Sequence, residues 1–349
     1  MNEKIFTLPF VRGVAAAFPK ERLLLRDLKF DNTNTADIIK VTGIEEVRRA
    51  PVGKTVTDYC MQAAENLFTA LDFDKNKIDG IVFSAPMGDY FTPGPGYIAQ
   101  DRLGLSTNCI VVDINQACAG YVNGLFQAFL MIQSGYCKNI LLCVGDTRPM
   151  VNPKDKSMRM LLGDAGAVSI ISASENFSES AFSFYNYGQG WKFIYVPAGA
   201  KKMPRKAGVT DIEETDEQGN VRTLQDTYMN GLEVMTFAMD AVPDSVGGVL
   251  KTIDWKKDDV SLFGIHQANG TMVNALRKRL RVPEEKVPTS YKYFGNTSGA
   301  SVPLTLCLAN PNAMSKWNKS VICGFGNGLA CAAVALDLTN TYFCETEEI

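Results

Sequence analysis

Cys118 is the residue of this chain whose type and context best suit a nucleophile. It lies in the segment DINQACAGYVNGL, where a strand-like run ends at Ile114, a turn of small residues follows, and a helical pattern begins just after the thiol. The N-terminal end of a helix carries partial positive charge, which favours a thiolate over a thiol. The alternative is a small buried apolar side chain, which is the usual role of a cysteine.

Two polar residues occupy comparable positions in the second half of the chain. His266, in FGIHQAN, follows one predicted strand and precedes a helix, and Asn296, in YFGNTSGAS, precedes another helix. Taken singly, the histidine fits a structural hydrogen bonder, and the asparagine fits a turn or a helix cap. Because His266 is the sole histidine, mechanisms that need two imidazoles are excluded, including most zinc hydrolase sites.

A glycine-rich turn, CGFGNGL at residues 323–329, is a fourth candidate element. Glycine lets backbone N–H groups approach a ligand closely, so this turn could donate to an oxyanion. A plain hairpin turn is equally consistent with the pattern. Phosphate binding is less consistent, because the turn joins two strands, whereas a phosphate loop opens a helix.

The elements that would position these residues are those of an α/β layered fold, since short β-branched runs alternate with helical patterns. The run at 109–114 predicts a fully buried strand. ILLCVGD…GDAGAVSII in the first half resembles VICGFGN…LACAAVAL in the second, which predicts a duplicated unit with halves at 1–176 and 177–349. The charged stretch at 201–221 predicts an exposed loop or lid.

Composition narrows the function classes. The 349 residues are 46% hydrophobic and carry 35 Lys and Arg against 38 Asp and Glu, a net charge of −3, which does not suit a nucleic-acid binder. No apolar run reaches the roughly 18–20 residues of a membrane-spanning helix. The N-terminal sequence does not resemble a signal peptide, and nine cysteines without CxxC spacing suit reduced thiols. We therefore expect a cytoplasmic protein.

Three short motifs together resemble a known family. ACAG around Cys118, HQAN at His266 and GNTSGAS at Asn296 are similar to the Cys-His-Asn set of the β-ketoacyl-acyl-carrier-protein synthase III family, within the thiolase superfamily. Further similarity is spread along the chain, in TGIEEVRR at 42–49, LGDAGA at 162–167, MNGLEVMTFA at 229–238 and the final GFGNGL.

This resemblance implies a five-layered αβαβα thiolase-like fold of two similar halves, usually as a homodimer. It implies that Cys118 takes an acyl group from a thioester, and that His266 and Asn296 promote decarboxylation of a malonyl thioester on acyl carrier protein. An oxyanion hole would use the backbone N–H of Cys118 and one from Gly326 or Asn327. Neither a metal nor another cofactor is implied.

Departures from the family pattern bear on the substrate. Asp37 and Val41 stand where members that use a coenzyme A primer carry a Trp and an Arg, and Asn327 replaces a usual glycine. The basic set Arg277, Lys278 and Arg279 would steer an acidic carrier protein, although a solvated helix face is the simpler interpretation. These features favour a specialised member that loads its acyl group from a carrier protein, or that takes an unusual acyl chain, in fatty-acid or secondary-metabolite biosynthesis.

Other activities stay open at this point. A non-decarboxylating thiolase or acyltransferase is the nearest rival, since Cys323 resembles a thiolase's second cysteine, but such enzymes need a further histidine motif. A hydroxymethylglutaryl-type synthase would need a glutamate base, and none lies near Cys118 in sequence. A different class is the non-catalytic partner subunit of a ketosynthase complex.

Overall fold

Two main sheets contain most of the strands in a computed structural model that describes residues 5–31, 33–148, 150–174 and 179–349. The strands are, in chain order, β1 Ile5–Phe6, β2 Pro9–Phe18, β3 Arg22–Leu24, β4 Glu46–Arg48, β5 Gly80–Ser84, β6 Ile110–Ile114, β7 Asn139–Asp146, β8 Ala165–Ala173, β9 Ser180–Asn186, β10 Ile194–Tyr195, β11 Glu214–Thr215, β12 Val221–Arg222, β13 Tyr228–Met229, β14 Leu262–Ile265, β15 Ala313–Met314, β16 Ser320–Gly326, β17 Ala330–Leu336, β18 Tyr342–Phe343 and β19 Glu347–Glu348.

The helices begin and end at recognisable sequence signals. Pro95 starts one of them at its first position, where the missing N–H costs nothing, and Gly104 ends the same helix in the left-handed conformation, as Gly43 ends another. The α-helices are α1 Thr35–Thr42, α2 Val56–Ala70, α3 Pro95–Leu103, α4 Gly120–Gln133, α5 Lys156–Leu161, α6 Gly231–Thr252, α7 Gly270–Leu280, α8 Tyr291–Phe294 and α9 Ser301–Ala309.

The two sheets repeat one topology, as the paired motifs of the sequence predicted. The first sheet has the order β15-β18-β2-β8-β7-β5-β6, with β19 also paired to β2, and the second has the order β1-β9-β17-β16-β14. In the first sheet β2-β8-β7-β5 pair antiparallel, antiparallel and parallel. In the second sheet β9-β17-β16-β14 pair in the same sequence of directions.

Three layers of helices cover these sheets, which gives the five-layered αβαβα arrangement expected from the resemblance. Helices α2 and α3 pack on the outer face of the first sheet, and α6 and α7 on the outer face of the second. Helices α4 and α9 lie between the sheets and share a core with both. Residues 301–307 of α9 are all buried, and a helix that is apolar on every side is stable only in such an interior layer.

The strand β6 differs from its expected environment. It forms an edge of the first sheet, next to β5, and Ile110 is exposed while Val111 and Val112 are half-buried. The prediction of a fully buried strand at 109–114 is therefore wrong. The apolar run is real, but a local pattern does not show whether a strand lies inside a sheet or at its edge.

The two halves exchange short segments at the chain ends. β1 pairs with β9 in the second sheet, while β18 and β19 pair with β2 in the first. The expected boundary between residues 176 and 177 lies outside the described residues. The charged stretch at 201–221 is largely exposed, as predicted, and includes β11. In the described ranges, no helix is long and apolar enough to cross a membrane.

Candidate active site

The candidate residues gather at the carboxyl ends of parallel strands in both sheets. Cys118 follows β6 by four residues and His266 follows β14 directly, while Gly326 ends β16. Parallel strands end at one edge of a sheet, and sites in such folds form beyond that edge. The close packing of both sheets on α4 brings the two edges together at the start of this helix.

Cys118 lies two residues before α4, and its side chain is half-buried. Its Sγ is 3.9 Å from Ser298 Oγ. Burial raises the pKa of the Cys118 thiol above its ordinary value, although Arg148, Ser298 and Asn296 act in the opposite direction. The helix end alone predicted a lowered pKa, and this expectation is wrong because loss of solvent around the sulfur outweighs the favourable groups.

The glycine-rich turn lies directly against the nucleophile. A Cβ atom at Gly326 would be 2.9 Å from Cys118 Cβ and 3.1 Å from Sγ, and one at Gly324 would be 2.7 Å from the Cys118 carbonyl oxygen. Only glycine permits this approach, so the glycines have a steric role here. The adjoining Asn327 lines a cavity that also contains Cys118, and its Nδ2 donates to the Ile194 carbonyl at 2.8 Å. The backbone of Gly326 therefore lies in direct contact with the nucleophile candidate.

His266 is almost fully buried, with 1% of its surface exposed. Burial, with a contribution from the positive charge of Arg148, lowers the pKa of His266 to about 3. The imidazole is therefore neutral at any ordinary pH. Its ring packs edge-on against Phe325, with centroids 5.2 Å apart, and its backbone N–H donates to the Cys323 carbonyl at 2.9 Å.

The neutral imidazole is oriented by Ser301 at the first position of α9. His266 Nδ1 and Ser301 Oγ are 2.6 Å apart, and the same Oγ accepts a hydrogen bond from the Gln267 N–H at 3.4 Å. Because Ser301 Oγ accepts from Gln267, its own proton can be donated to Nδ1 of His266. This pattern favours the tautomer with its proton on Nε2, where it can be donated.

Asn296 is held by backbone pairing with the last residue of α5 and the segment that follows it. Its N–H donates to the Leu161 carbonyl at 2.9 Å, and its own carbonyl accepts from the Gly163 N–H at 2.9 Å. The side-chain Oδ1 accepts from the Ser298 N–H at 2.9 Å. Since the oxygen is used in this way, the amide Nδ2 is the group left to donate toward Cys118 or a substrate. The LGDAGA motif thus serves to place Asn296.

The loop that carries Asn296 is under backbone strain. Ser298 is fully buried and has a φ of 55°, in the left-handed region that residues with a side chain seldom adopt. Gly299 faces the Ala117 carbonyl, where a Cβ atom would be at 3.2 Å. Such strain persists when surrounding contacts fix the conformation, and it is common at functional sites.

Sequence reasoning missed an ion pair beside the nucleophile. Asp146 ends β7, and Arg148 follows it by two residues, with Arg148 Nε 2.8 Å from Asp146 Oδ2. The side chains are only 11% and 6% exposed, and both line the cavity that contains Cys118. The available signal was an Asp-x-Arg sequence at the carboxyl end of a buried strand, the edge where Cys118 and His266 were also predicted.

A cavity of about 940 Å³ opens beside Cys118 and Asn296. Much of its wall is apolar, and its polar groups include Asp146, Arg148 and Asn327. Apolar walls with few polar groups are typical of a pocket for a small organic substrate. No group of three or more His, Cys, Asp and Glu side chains within the described residues is arranged to hold a metal ion.

The basic residues of α7 lie apart from this cavity and are not equivalent to one another. Arg277 is half-buried, and its Nη2 is 3.3 Å from Glu284 Oε2. Lys278 and Arg279 are exposed, and no ion pair joins either of them to another described residue. Near the start of the same helix, Thr271 Oγ1 donates to the Val41 carbonyl of α1.

Comparison with known proteins supplies an independent line of evidence. Residues 112–188 match the family model "3-Oxoacyl-[acyl-carrier-protein (ACP)] synthase III", and residues 250–338 match the model of its C-terminal part. Beta-ketoacyl-[acyl-carrier-protein] synthase III of Staphylococcus saprophyticus is 31% identical over 332 residues, covering 93% of this chain and 97% of that protein. The same-named protein of Clostridium novyi is 31% identical over 307 residues, covering 87% and 91%.

The fold has close counterparts among solved structures. The crystal structure of 3-oxoacyl-(acyl-carrier protein) synthase from Burkholderia xenovorans superposes with a TM-score of 0.90 at 29% identity. The match covers 100% of this chain and 99% of that one, so it includes both sheets and all three helical layers.

Proposed function

Because this chain belongs to the 3-oxoacyl-[acyl-carrier-protein] synthase III family and is an acyl-transferring condensing enzyme, we propose that Cys118, His266 and Asn296 divide its reaction between them. The enzyme joins an acyl group to the two-carbon unit of a malonyl thioester on acyl carrier protein and yields a 3-ketoacyl product. The observation that carries the division of roles is that Cys118 and Asn296 line one cavity with Arg148, and that the charge of Arg148 also acts on the buried, neutral His266.

Acyl transfer comes first. The Cys118 thiolate attacks the carbonyl carbon of the acyl thioester, a C–S bond to Cys118 forms, and the donor's thiolate leaves and takes up the proton that Cys118 released. Backbone N–H groups of Cys118 and of Gly326 or Asn327 stabilise the oxyanion of the tetrahedral intermediate. The contact of Gly326 with Cys118 supports this placement.

Decarboxylation follows. The Nε2–H of neutral His266 and the Nδ2–H of Asn296 donate to the carbonyl oxygen of the malonyl thioester. The electron pair of the breaking C–C bond moves into the enolate as carbon dioxide leaves, and these donors stabilise the developing negative charge. The enolate carbon then attacks the acyl carbonyl, and Cys118 departs as a thiolate. A neutral imidazole suits this role because it still has a proton to donate.

Intact-mass measurement with a panel of acyl thioesters, each on coenzyme A and on carrier protein, tests the assignment. We expect a mass increase on the wild-type protein that Cys118→Ala abolishes and Cys109→Ala retains, because Cys109 is buried outside the site and burial raises its pKa to about 11. Addition of a malonyl thioester should then discharge the acyl group as a 3-ketoacyl product.

The other outcomes separate the alternatives. Acylation without discharge would indicate acyl transfer alone and would contradict the roles given to His266 and Asn296. Absence of acylation from every donor would overturn the nucleophile assignment and favour a non-catalytic partner subunit.

We further propose that a carrier protein delivers the acyl group and docks on α7. Lys278 and Arg279 are exposed and offer unpaired positive charge to an acidic partner, whereas Arg277 is engaged by Glu284 and contributes less. The double variant Lys278→Glu/Arg279→Glu should raise KM for the carrier-bound donor at least about tenfold and leave a coenzyme A donor unaffected. The matched control is Lys138→Glu, which reverses the charge of an exposed lysine outside α7, just before β7. Equal effects on both donors would contradict docking.

A homodimer through β6 is the third part of the proposal. In the described part of the chain β6 pairs only with β5, and its partly exposed apolar residues leave an edge suited to pairing with a second copy. Light scattering after size exclusion should give a dimer mass for the wild type and for Val52→Lys, and a monomer mass for Val111→Lys. A monomeric wild type would contradict this and favour assembly with a related ketosynthase.

A reducing compartment such as the cytoplasm suits this enzyme. All nine cysteines are free, and Cys118 is the one that is not fully buried. Fractionation of cells that produce the protein should recover it with cytoplasmic markers, and recovery with secreted proteins would contradict this location.

A further inference from the structure

We propose that Arg148 is a positioning residue for the condensation, which fixes the Asn296 loop by a hydrogen bond and places a positive charge beside both Cys118 and His266. This inference rests on the roles proposed for those three residues. It assigns a function to the ion pair at the end of β7, which neither the sequence motifs nor the mechanism above has used.

The contacts of Arg148 connect otherwise separate elements. Its Nε donates to Asp146 Oδ2 at 2.8 Å, and its Nη1 donates to the Asn296 carbonyl oxygen at 3.1 Å. Its backbone N–H donates to Asp164 Oδ1 at 3.3 Å. One side chain therefore joins the end of β7 to the catalytic loop, and its backbone joins the same point to the LGDAGA segment.

Asp164 extends this connection to the chain around β4. Its Oδ2 accepts from the Ala50 N–H at 2.9 Å, and its Oδ1 is 3.8 Å from Arg49 Nη1. The carboxylate is 3% exposed, so it is fixed from several sides. Arg148 is thus held at its backbone and at its guanidinium, and its Nη1 is a second donor to the Asn296 carbonyl, which also accepts from the Gly163 N–H.

The positive charge of Arg148 affects the protonation of Cys118 and His266. The charged groups that act on Cys118 are Arg148 and Asp146. Arg148 is also the charged group that acts on His266. Asp164 interacts with Arg148 and with Arg49. A guanidinium near the sulfur favours thiolate over thiol, and near the imidazole it disfavours protonation. Both effects favour the forms that the reaction uses, a thiolate and a neutral imidazole.

A purely structural ion pair is the competing explanation. A buried pair is weak evidence for stability, since desolvation offsets the attraction, and removal of one partner leaves an uncompensated charge. The test must therefore separate loss of charge, loss of the Asn296 contact and loss of folding. Three variants do this: Arg148→Met, Arg148→Lys, and Asp146→Asn/Arg148→Met, which removes both charges together.

The first readout is the pH dependence of Cys118 alkylation, followed by intact mass. We expect the midpoint to move to higher pH by about one unit in Arg148→Met, and less in the double variant because Asp146 also raises the Cys118 pKa. Arg148→Lys keeps the charge and should keep the midpoint near that of the wild type. The control Asp155→Asn/Arg222→Met removes another poorly exposed pair, outside the cavity, and should leave the midpoint unchanged.

The second readout is condensation. A lysine has no planar fork with which to reach Asp146 and the Asn296 carbonyl together. Arg148→Lys should therefore lower the condensation rate about tenfold while Cys118 alkylation stays near normal, a separation that general destabilisation would not produce. Thermal unfolding confirms that each variant is folded.

Two results would overturn the proposal. An unchanged alkylation midpoint in folded Arg148→Met would remove the electrostatic role, and undiminished condensation in Arg148→Lys would remove the positioning role. Alkylation does not depend on any acyl donor, so failure here is distinguishable from failure of the proposed acyl transfer, in which the wild type itself is never acylated.

Discussion

The Nδ1 of His266 lies 2.6 Å from the Oγ of Ser301, the first residue of helix α9. The serine carbonyl also accepts from Thr305 Oγ1 at 2.6 Å, one turn further along the same helix. The imidazole that follows β14 is therefore oriented by the interior helix that lies between the sheets. The histidine follows a strand of the second sheet, while the interior helix supplies the hydroxyl partner of its Nδ1.

Removal of that hydroxyl should affect the second half-reaction selectively. In Ser301→Ala the imidazole loses its Nδ1 partner, so the Nε2–H donor is no longer fixed. We expect condensation to fall about tenfold while the rate of Cys118 acylation stays close to that of the wild type. Ser172→Ala removes an equally buried hydroxyl from the distant end of β8 and serves as the control. Equal losses in both half-reactions would contradict this role.

Because His266 is the sole histidine, its protonation state can be measured directly. Because burial and Arg148 lower the pKa of His266 to about 3, its nuclear magnetic resonance signal should not titrate between about pH 5 and 8, where an ordinary histidine would. In a sample with labelled histidine this is a single resonance without competing signals. A midpoint near 6.5 would show that the imidazole is solvated and would contradict the neutral donor.

The glycine beside the nucleophile should not tolerate a side chain. Gly326→Ala would place a methyl group 2.9 Å from Cys118 Cβ, at a φ of 153°, so either the turn or the thiol must move. We expect Cys118 acylation to fall at least about 100-fold, since the proposed oxyanion donor would be displaced as well. Gly188→Ala, where a Cβ has open space, is the matched control. Normal acylation in Gly326→Ala would show that this turn supplies no donor to the oxyanion.

Buried side chains of the interior helical layer should contribute strongly to the free energy of unfolding. Phe129 of α4 is fully buried and contacts Phe6 and Phe182, at centroid distances of 5.9 and 5.4 Å. Phe129→Ala should lower the free energy of unfolding by about 3–5 kcal/mol, because a cavity remains between the sheets. Denaturant titration measures this, with Tyr136→Ala, which is 79% exposed, as the control. A loss below about 1 kcal/mol would mean that the layers can collapse onto the gap.

Much of the fold could be predicted from the sequence because its signals are local. The first helical position of Pro95, the apolar runs of β7 and β16 and the repeated pattern of the two halves depend on neighbouring residues alone. The edge position of β6 could not be predicted in this way. A run of apolar residues is the same whether a strand has one neighbour or two, and only the assembled sheet sets that number.

For the site, the sequence by itself predicted the candidate reactive side chains, and it determined that Cys118 and His266 follow strands. The tertiary structure decided their chemical state. Burial raises the pKa of Cys118 against the expectation from its helix, Arg148 and Asp146 come to lie beside it, and Glu284 engages Arg277. The burial of Cys118 and its proximity to Asp146 and Arg148 depend on groups that are distant from it in the chain, so these properties exist only once both sheets have packed around α4.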